Sequence, residues 1–161
     1  MTHPPTLDIG LDVQQESIAV ASVAQDHGAE VTDLGTIGTR QCDLDQLVRT
    51  RHSQRTPLVL VYDAGPCGYW LYRYLRKNGD ECWVVAPSLR PNKAGDRVNT
   101  DRRDAVQLAR LRRSGALTAV SGPQVEDDAI RELRRARDDT SQARKAATCR
   151  RHALLRRHAI R

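Results

Sequence analysis

A chain of 161 residues, 39% of them hydrophobic, is long enough to bury the core of one domain with an appendage, which excludes a disordered tail. Its 26 Lys and Arg against 20 Asp and Glu give a formal net charge of +6. The arginines gather from Arg90 onward, so polyanions are the favoured partners and the second half is the surface expected to meet them.

No apolar run approaches ~18 residues, and the opening Met-Thr-His-Pro-Pro is neither basic nor apolar, so neither a membrane span nor a secretory signal is expected. Cys42, Cys67, Cys82 and Cys149 stand far apart with no C-x-x-C pair. That is the pattern of free thiols in a reducing compartment, and a cytoplasmic, nucleoid-associated location is expected.

In chain order, Leu7, Ile9, Leu11 and Val13 alternate with Asp8, Gly10 and Asp12, a period of two that predicts a strand with acids on one face. Residues 17–24 and 30–37 predict two more short strands about a polar turn at 25–28, together an antiparallel meander. Leu44, Leu47 and Val48 recur at helical spacing over residues 43–52. Pro57 then opens Leu58-Val59-Leu60-Val61-Tyr62, too continuously apolar to be one-sided and therefore a central strand parallel to a neighbour.

The turn-rich segment Asp63-Ala64-Gly65-Pro66-Cys67-Gly68 ends that strand. Asp63 thus stands at the carboxyl end of a buried strand, where α/β sheets bind ligands and where turn formers and caps also occur. A helix over residues 69–77 and a strand over 82–85 follow, then a long basic loop over 87–99 carrying Arg90, Lys93 and Arg97.

Ala105, Leu108, Ala109 and Leu111 predict a helix over residues 101–113, closed by Gly115. Asp101 and Asp104 share roughly one face at its start, interleaved with Arg102 and Arg103. Read alone, this pair serves either as acids complementing the helix dipole or as ligands for a metal. Residues 125–161 hold neither Pro nor Gly and predict one long arginine-rich helix. Its thin stripe through Ile130, Leu133, Ala136, Leu154 and Leu155 suits a partner helix or nucleic acid.

The succession strand, strand, strand, helix, strand, helix, strand, helix predicts an α/β domain. An RNase H-like mixed sheet flanked by helices is expected over residues 1–122, with a long C-terminal helix over 123–161. In that fold Asp12 on the first strand, Asp63 ending the fourth, and Asp101 and Asp104 on a later helix would converge at one sheet edge, with Asp8 as a spare. Four clustered carboxylates repel unless cations neutralise them, and hard oxygen ligands select magnesium or manganese. Two such ions ~3.5–4 Å apart would serve in-line phosphodiester cleavage or transfer. Arg90, Lys93, Arg97, Arg102 and Arg103 would then hold the nucleic acid.

Four segments in register carry a family resemblance: Gly10-Leu11-Asp12-Val13, Tyr62-Asp63-Ala64-Gly65-Pro66-Cys67-Gly68-Tyr69, Val85-Ala86-Pro87-Ser88-Leu89, and Gly95-Asp96-Arg97-Val98-Asn99-Thr100-Asp101-Arg102-Arg103-Asp104-Ala105. Together they resemble the IS110-type DEDD insertion-sequence transposases. The resemblance implies a RuvC-like (RNase H-like) nuclease domain followed by the start of a coiled coil over residues 123–161, with a catalytic magnesium site at Asp12, Asp63, Asp101 and Asp104, manganese serving as a substitute. It also implies DNA transposition guided by a structured bridge RNA, by proteins that bind as oligomers. The family's second acid is normally glutamate where this chain has Asp63. The family also continues into a C-terminal domain bearing a nucleophilic serine, and no serine of this sequence takes that role.

An alternative expectation is a catalytically inactive, truncated remnant that holds nucleic acid or a partner. A third reading takes Asp8-Ile9-Gly10 as the first phosphate loop of an actin-like ATPase or sugar kinase, which needs glycine-rich loops this sequence does not contain.

Overall fold

The computed structural model describes residues 6–26, 28–53, 57–65, 67–90, 100–120 and 122–160. The chain divides into two compact units, Met1–Gly122 and Pro123–Arg161. In the first, strands β1 (Leu7–Val13), β2 (Ser17–Ala24), β3 (Thr32–Gly38), β4 (Leu58–Asp63), β5 (Glu81–Val85) and β6 (Ala119–Val120) form one sheet in the order β3-β2-β1-β4-β5-β6. β1 to β3 are the antiparallel meander expected from the alternating apolar residues, and β4 and β5 run parallel to β1 in the interior. This is an RNase H-like mixed sheet, flanked by helices α1 (Gln41–His52), α2 (Trp70–Lys77) and α3 (Asp101–Arg113).

Strand parity divides the side chains between two faces. Ile9, Leu11, Leu58, Leu60 and Tyr62 pack with Leu44 and Leu47 of α1 and Leu71 and Leu75 of α2. The opposite face takes Val61, Val85, Ala19 and Ala21, against which α3 buries Leu108 and Ala105. α3 approaches β1 closely because Gly10 has no side chain. A Cβ there would collide with the Ala105 carbonyl oxygen and come within 2.8 Å of the Ala109 nitrogen.

Two elements are additional to those expected: the two-residue β6 and a short 3-10 turn at Pro87–Leu89. α3 closes on Gly115 as anticipated, with φ +69°. The Ala116 N–H donates to the Leu111 carbonyl at 3.0 Å, which satisfies an end carbonyl that would otherwise lack a partner.

The second unit is built on α4 (Val125–Arg157), which stops short of the helix to residue 161 expected from composition. Ala159 adopts φ 52°, and the Ile160 N–H donates back to the Leu155 carbonyl at 3.0 Å. This is a helix-terminating turn of the kind usually built on glycine. Ile130, Leu133 and Leu154 of α4 are exposed. Among the described residues no helix is long and apolar enough to cross a membrane.

Asp8, the spare acid on β1, is wholly buried, and the Gln25 amide donates to its two oxygens at 3.4 and 3.3 Å. Burial pushes its carboxyl above the ordinary value of 3.8, opposed by Arg112 and the Gln25 hydrogen bond. A raised value in the fold means the native state binds this proton more tightly than the unfolded chain. The resulting stability is full below the unfolded value and is lost as pH rises through the folded one. Asp8→Asn, which is neutral at every pH, is therefore expected to melt above the wild type at pH 7. Thermal melts should show the gap closing below about pH 4. A gap of constant size would mean that the Asp8 charge carries no penalty.

Candidate metal centre

Two of the four acids are placed by the sheet itself. β1 and β4 run parallel with Leu11 opposite Tyr62, so the residues that follow, Asp12 and Asp63, leave the sheet at the same edge. Each lies two residues past a position on the α3 side, Gly10 and Val61, and parity sends both to that side.

α3 brings the other two. Thr100 is extended, and its hydroxyl oxygen accepts the Arg103 N–H at 3.4 Å, which caps the helix. With the cap supplied by Thr100, neither Asp101 nor Asp104 is occupied as one. The threonine two residues into an Asn-Thr-Asp start is a readable cap signal, although the acids draw attention first. Asp104 immediately precedes Ala105, the residue seated against Gly10, so the close approach of α3 to β1 also delivers Asp104 to the ends of β1 and β4.

Arg90 lies between these segments. Its Nη1 donates to Asp63 Oδ2 at 2.8 Å and its Nη2 to Asp104 Oδ1 at 3.0 Å, and the side chain is only 10% exposed. The other Asp63 oxygen, Oδ1, is buried with no hydrogen-bond partner among the described residues. Burial holds the Asp63 carboxyl above its ordinary range, with Arg90 opposing the rise and Asp104 and Asp12 adding to it. Asp12 is raised in the same way by burial. The Gln14 amide, donating to its Oδ2 at 3.1 Å, opposes that rise, whereas Asp101 and Asp104 reinforce it. Asp12 is therefore repelled by Asp101 and Asp104, and Asp63 by Asp104 and Asp12, across the end of the sheet, with the Arg90 guanidinium among them.

Among the described residues, no three His, Cys, Asp or Glu side chains are gathered into a ready metal cluster. The cation joining Asp63 to Asp104 is Arg90. The candidate donor set nonetheless suits a hard divalent ion: all its atoms are carboxylate oxygens, they come from three segments, and the buried Asp63 Oδ1 has lone pairs that no other described residue claims.

The basic residues expected to hold nucleic acid are distributed differently. Arg90 is buried among the acids, and no spacing in the sequence signals that contact. Arg102 reaches Asp33 on β3 through its Nε at 2.7 Å. Arg103 is exposed in the first turn of α3, and Lys93 and Arg97 lie outside the described residues. A groove of about 600 Å³ opens beside Asp12, lined by Val13, Gln14, Gln15, Thr39, Cys67 and Trp70.

An RNase H-like sheet with aspartates from β1, β4 and α3 at one edge defines a RuvC-like domain of the DEDD class. A family model of IS110-type DEDD transposases, described as Transposase, matches residues 9–160, and the chain belongs to that family. Among curated relatives, y4qE of Sinorhizobium fredii, named as a transposase, is 43% identical over 129 residues, covering 80% of this chain and 33% of its own length. The transposase for insertion sequence element IS1533 of Leptospira borgpetersenii is 34% identical over 131 residues, covering 81% of this chain and 38% of its own. The chain thus spans about a third of the length of these relatives. A solved structure of Thermus thermophilus RuvC is similar at a TM-score of 0.48 with 9% identity, covering 71% of this chain and all of the other.

Proposed function

We propose that residues 1–122 form the metal-dependent nuclease domain of an RNA-guided DNA transposase and that residues 123–161 begin a coiled coil through which copies associate. The observation that carries this reading is the Arg90 fork joining Asp63 to Asp104, with Asp12 in electrostatic reach of Asp101 and Asp104. Acids drawn from three distant segments to one sheet edge, at a cost in mutual repulsion, are more than helix-start ornaments.

Asp12, Asp63, Asp101 and Asp104 hold magnesium, or manganese in its place. When bound, the ions supply the Lewis acidity that activates an attacking oxygen and stabilises a leaving one in phosphodiester cleavage and transfer. The residues of this chain bind and orient: the aspartates fix the cations, while Arg102, Arg103, Lys93 and Arg97 hold phosphates of DNA and of a structured bridge RNA. The exposed Ile130, Leu133 and Leu154 of α4 support helix pairing as the route to an oligomer. Such a protein works in the cytoplasm on the nucleoid. Strand transfer is proposed for the whole transposase, and metal and nucleic-acid binding for this domain.

Titration calorimetry with manganese on the 161-residue chain tests the metal assignment. Binding is expected for the wild type and is expected to vanish in the double variant Asp101→Asn, Asp104→Asn. Unchanged affinity in that variant would overturn the assignment.

A further inference from the structure

Arg90 is expected, from its place in a basic loop, to reach outward to a polyanion, yet it is turned inward. We propose that Arg90 is an internal cation that competes with divalent metal for Asp63 and Asp104 and, once displaced, becomes a phosphate-binding group at the same site. The inference rests on the metal reading given above.

The fork claims one oxygen from each of two acids, at 2.8 and 3.0 Å, leaving Asp63 Oδ1 without a partner among the described residues. A guanidinium stays charged at every working pH, so it cannot yield its place by losing a proton. It opposes the metal through its charge: a divalent ion held by these carboxylates would stand within a few ångströms of a like charge. Metal entry is therefore favoured when the side chain leaves.

The backbone is anchored, since Arg90 follows the Pro87–Leu89 turn and its N–H donates to the Pro87 carbonyl at 3.3 Å. The exchange is consequently a rotation of the side chain about a fixed Cα. Once out, the planar fork matches a phosphate as well as it matched two carboxylates. The two N–H groups that hold the acids can be turned to phosphate instead, but cannot serve both at once. Metal loading is thus held down in the free protein and favoured when nucleic acid is present.

Calorimetry with manganese alone, on the wild-type chain and on Arg90→Gln, reads the competition directly. The variant is expected to bind manganese at least about tenfold more tightly. Adding a short DNA duplex is expected to tighten manganese binding in the wild type and to do so much less in the variant. Equal or weaker affinity in Arg90→Gln would overturn the competition while leaving the metal reading intact; no binding in either protein would overturn the metal reading itself. If Arg90→Gln fails to give a cooperative melt, Arg90→Lys takes its place. Lysine keeps the charge but lacks the planar, widely spaced fork that spans Asp63 and Asp104, so its hold on them is weaker and manganese affinity above the wild type is again expected, equal affinity overturning the proposal.

Discussion

Gly10→Val is expected to destabilise the Met1–Gly122 unit by about 3 kcal/mol or more, read as a fall in the urea midpoint with unchanged slope. Even the first carbon of a side chain would overlap the Ala105 carbonyl oxygen and sit 2.8 Å from the Ala109 nitrogen. Both are backbone atoms of α3, so no side chain can rotate to make room. The helix must lift off the sheet, exposing Leu108 and Ala109, which are fully buried. Gly10→Ala should show the same defect in milder form. Gly65→Ala is the control: its Cβ would meet only the Asp63 carbonyl oxygen at 3.8 Å, an ordinary contact, and a change within about 0.5 kcal/mol is expected. A wild-type midpoint for Gly10→Val would mean that α3 does not rest on β1, and the placement of Asp104 would fall with it.

That dependence explains which parts of the site were legible in the sequence. The period of two in β1, the continuous apolar run of β4 and the stripe of α3 each report burial by their neighbours, and burial is what composes a core. Asp12 and Asp63 could be placed at strand ends because parity and run length are local properties. β6 could not be foreseen: two residues carry no periodicity, and their pairing with Val84 and Val85 is a tertiary choice.

Gly10 looked like one more polar-face position, because its value lies in a missing atom that only a neighbouring helix reveals. Arg90 was harder still. Its partners lie 27 and 14 residues away, and a cation in a basic loop reads outward unless something buried and acidic waits behind it. The end of α4 escaped because Ala159 is not a residue that announces a left-handed turn.

Asp104 and Asp101 are three residues apart on one helix, yet their removal is expected to give different results in the same assays. In Asp104→Ala the Arg90 Nη2 loses its acceptor inside a side chain that is 10% exposed, and about 1–3 kcal/mol of stability should be lost. Relief of repulsion on Asp63 and Asp12 offsets only part of this, since burial, not Asp104, is the larger cause of their raised carboxyls. Asp101 is exposed, and its removal relieves repulsion on Asp12 without stranding a buried donor. Asp101→Ala should therefore melt within about 0.5 kcal/mol of the wild type, if anything above it. Both variants are expected to lose manganese affinity, so loss of metal and loss of stability should go together in one and separate in the other. Equal melting of the two would mean that Arg90 does not hold Asp104 in solution, and α3 would then owe its position to its packing on the sheet, at Gly10 and through Leu108 and Ala105.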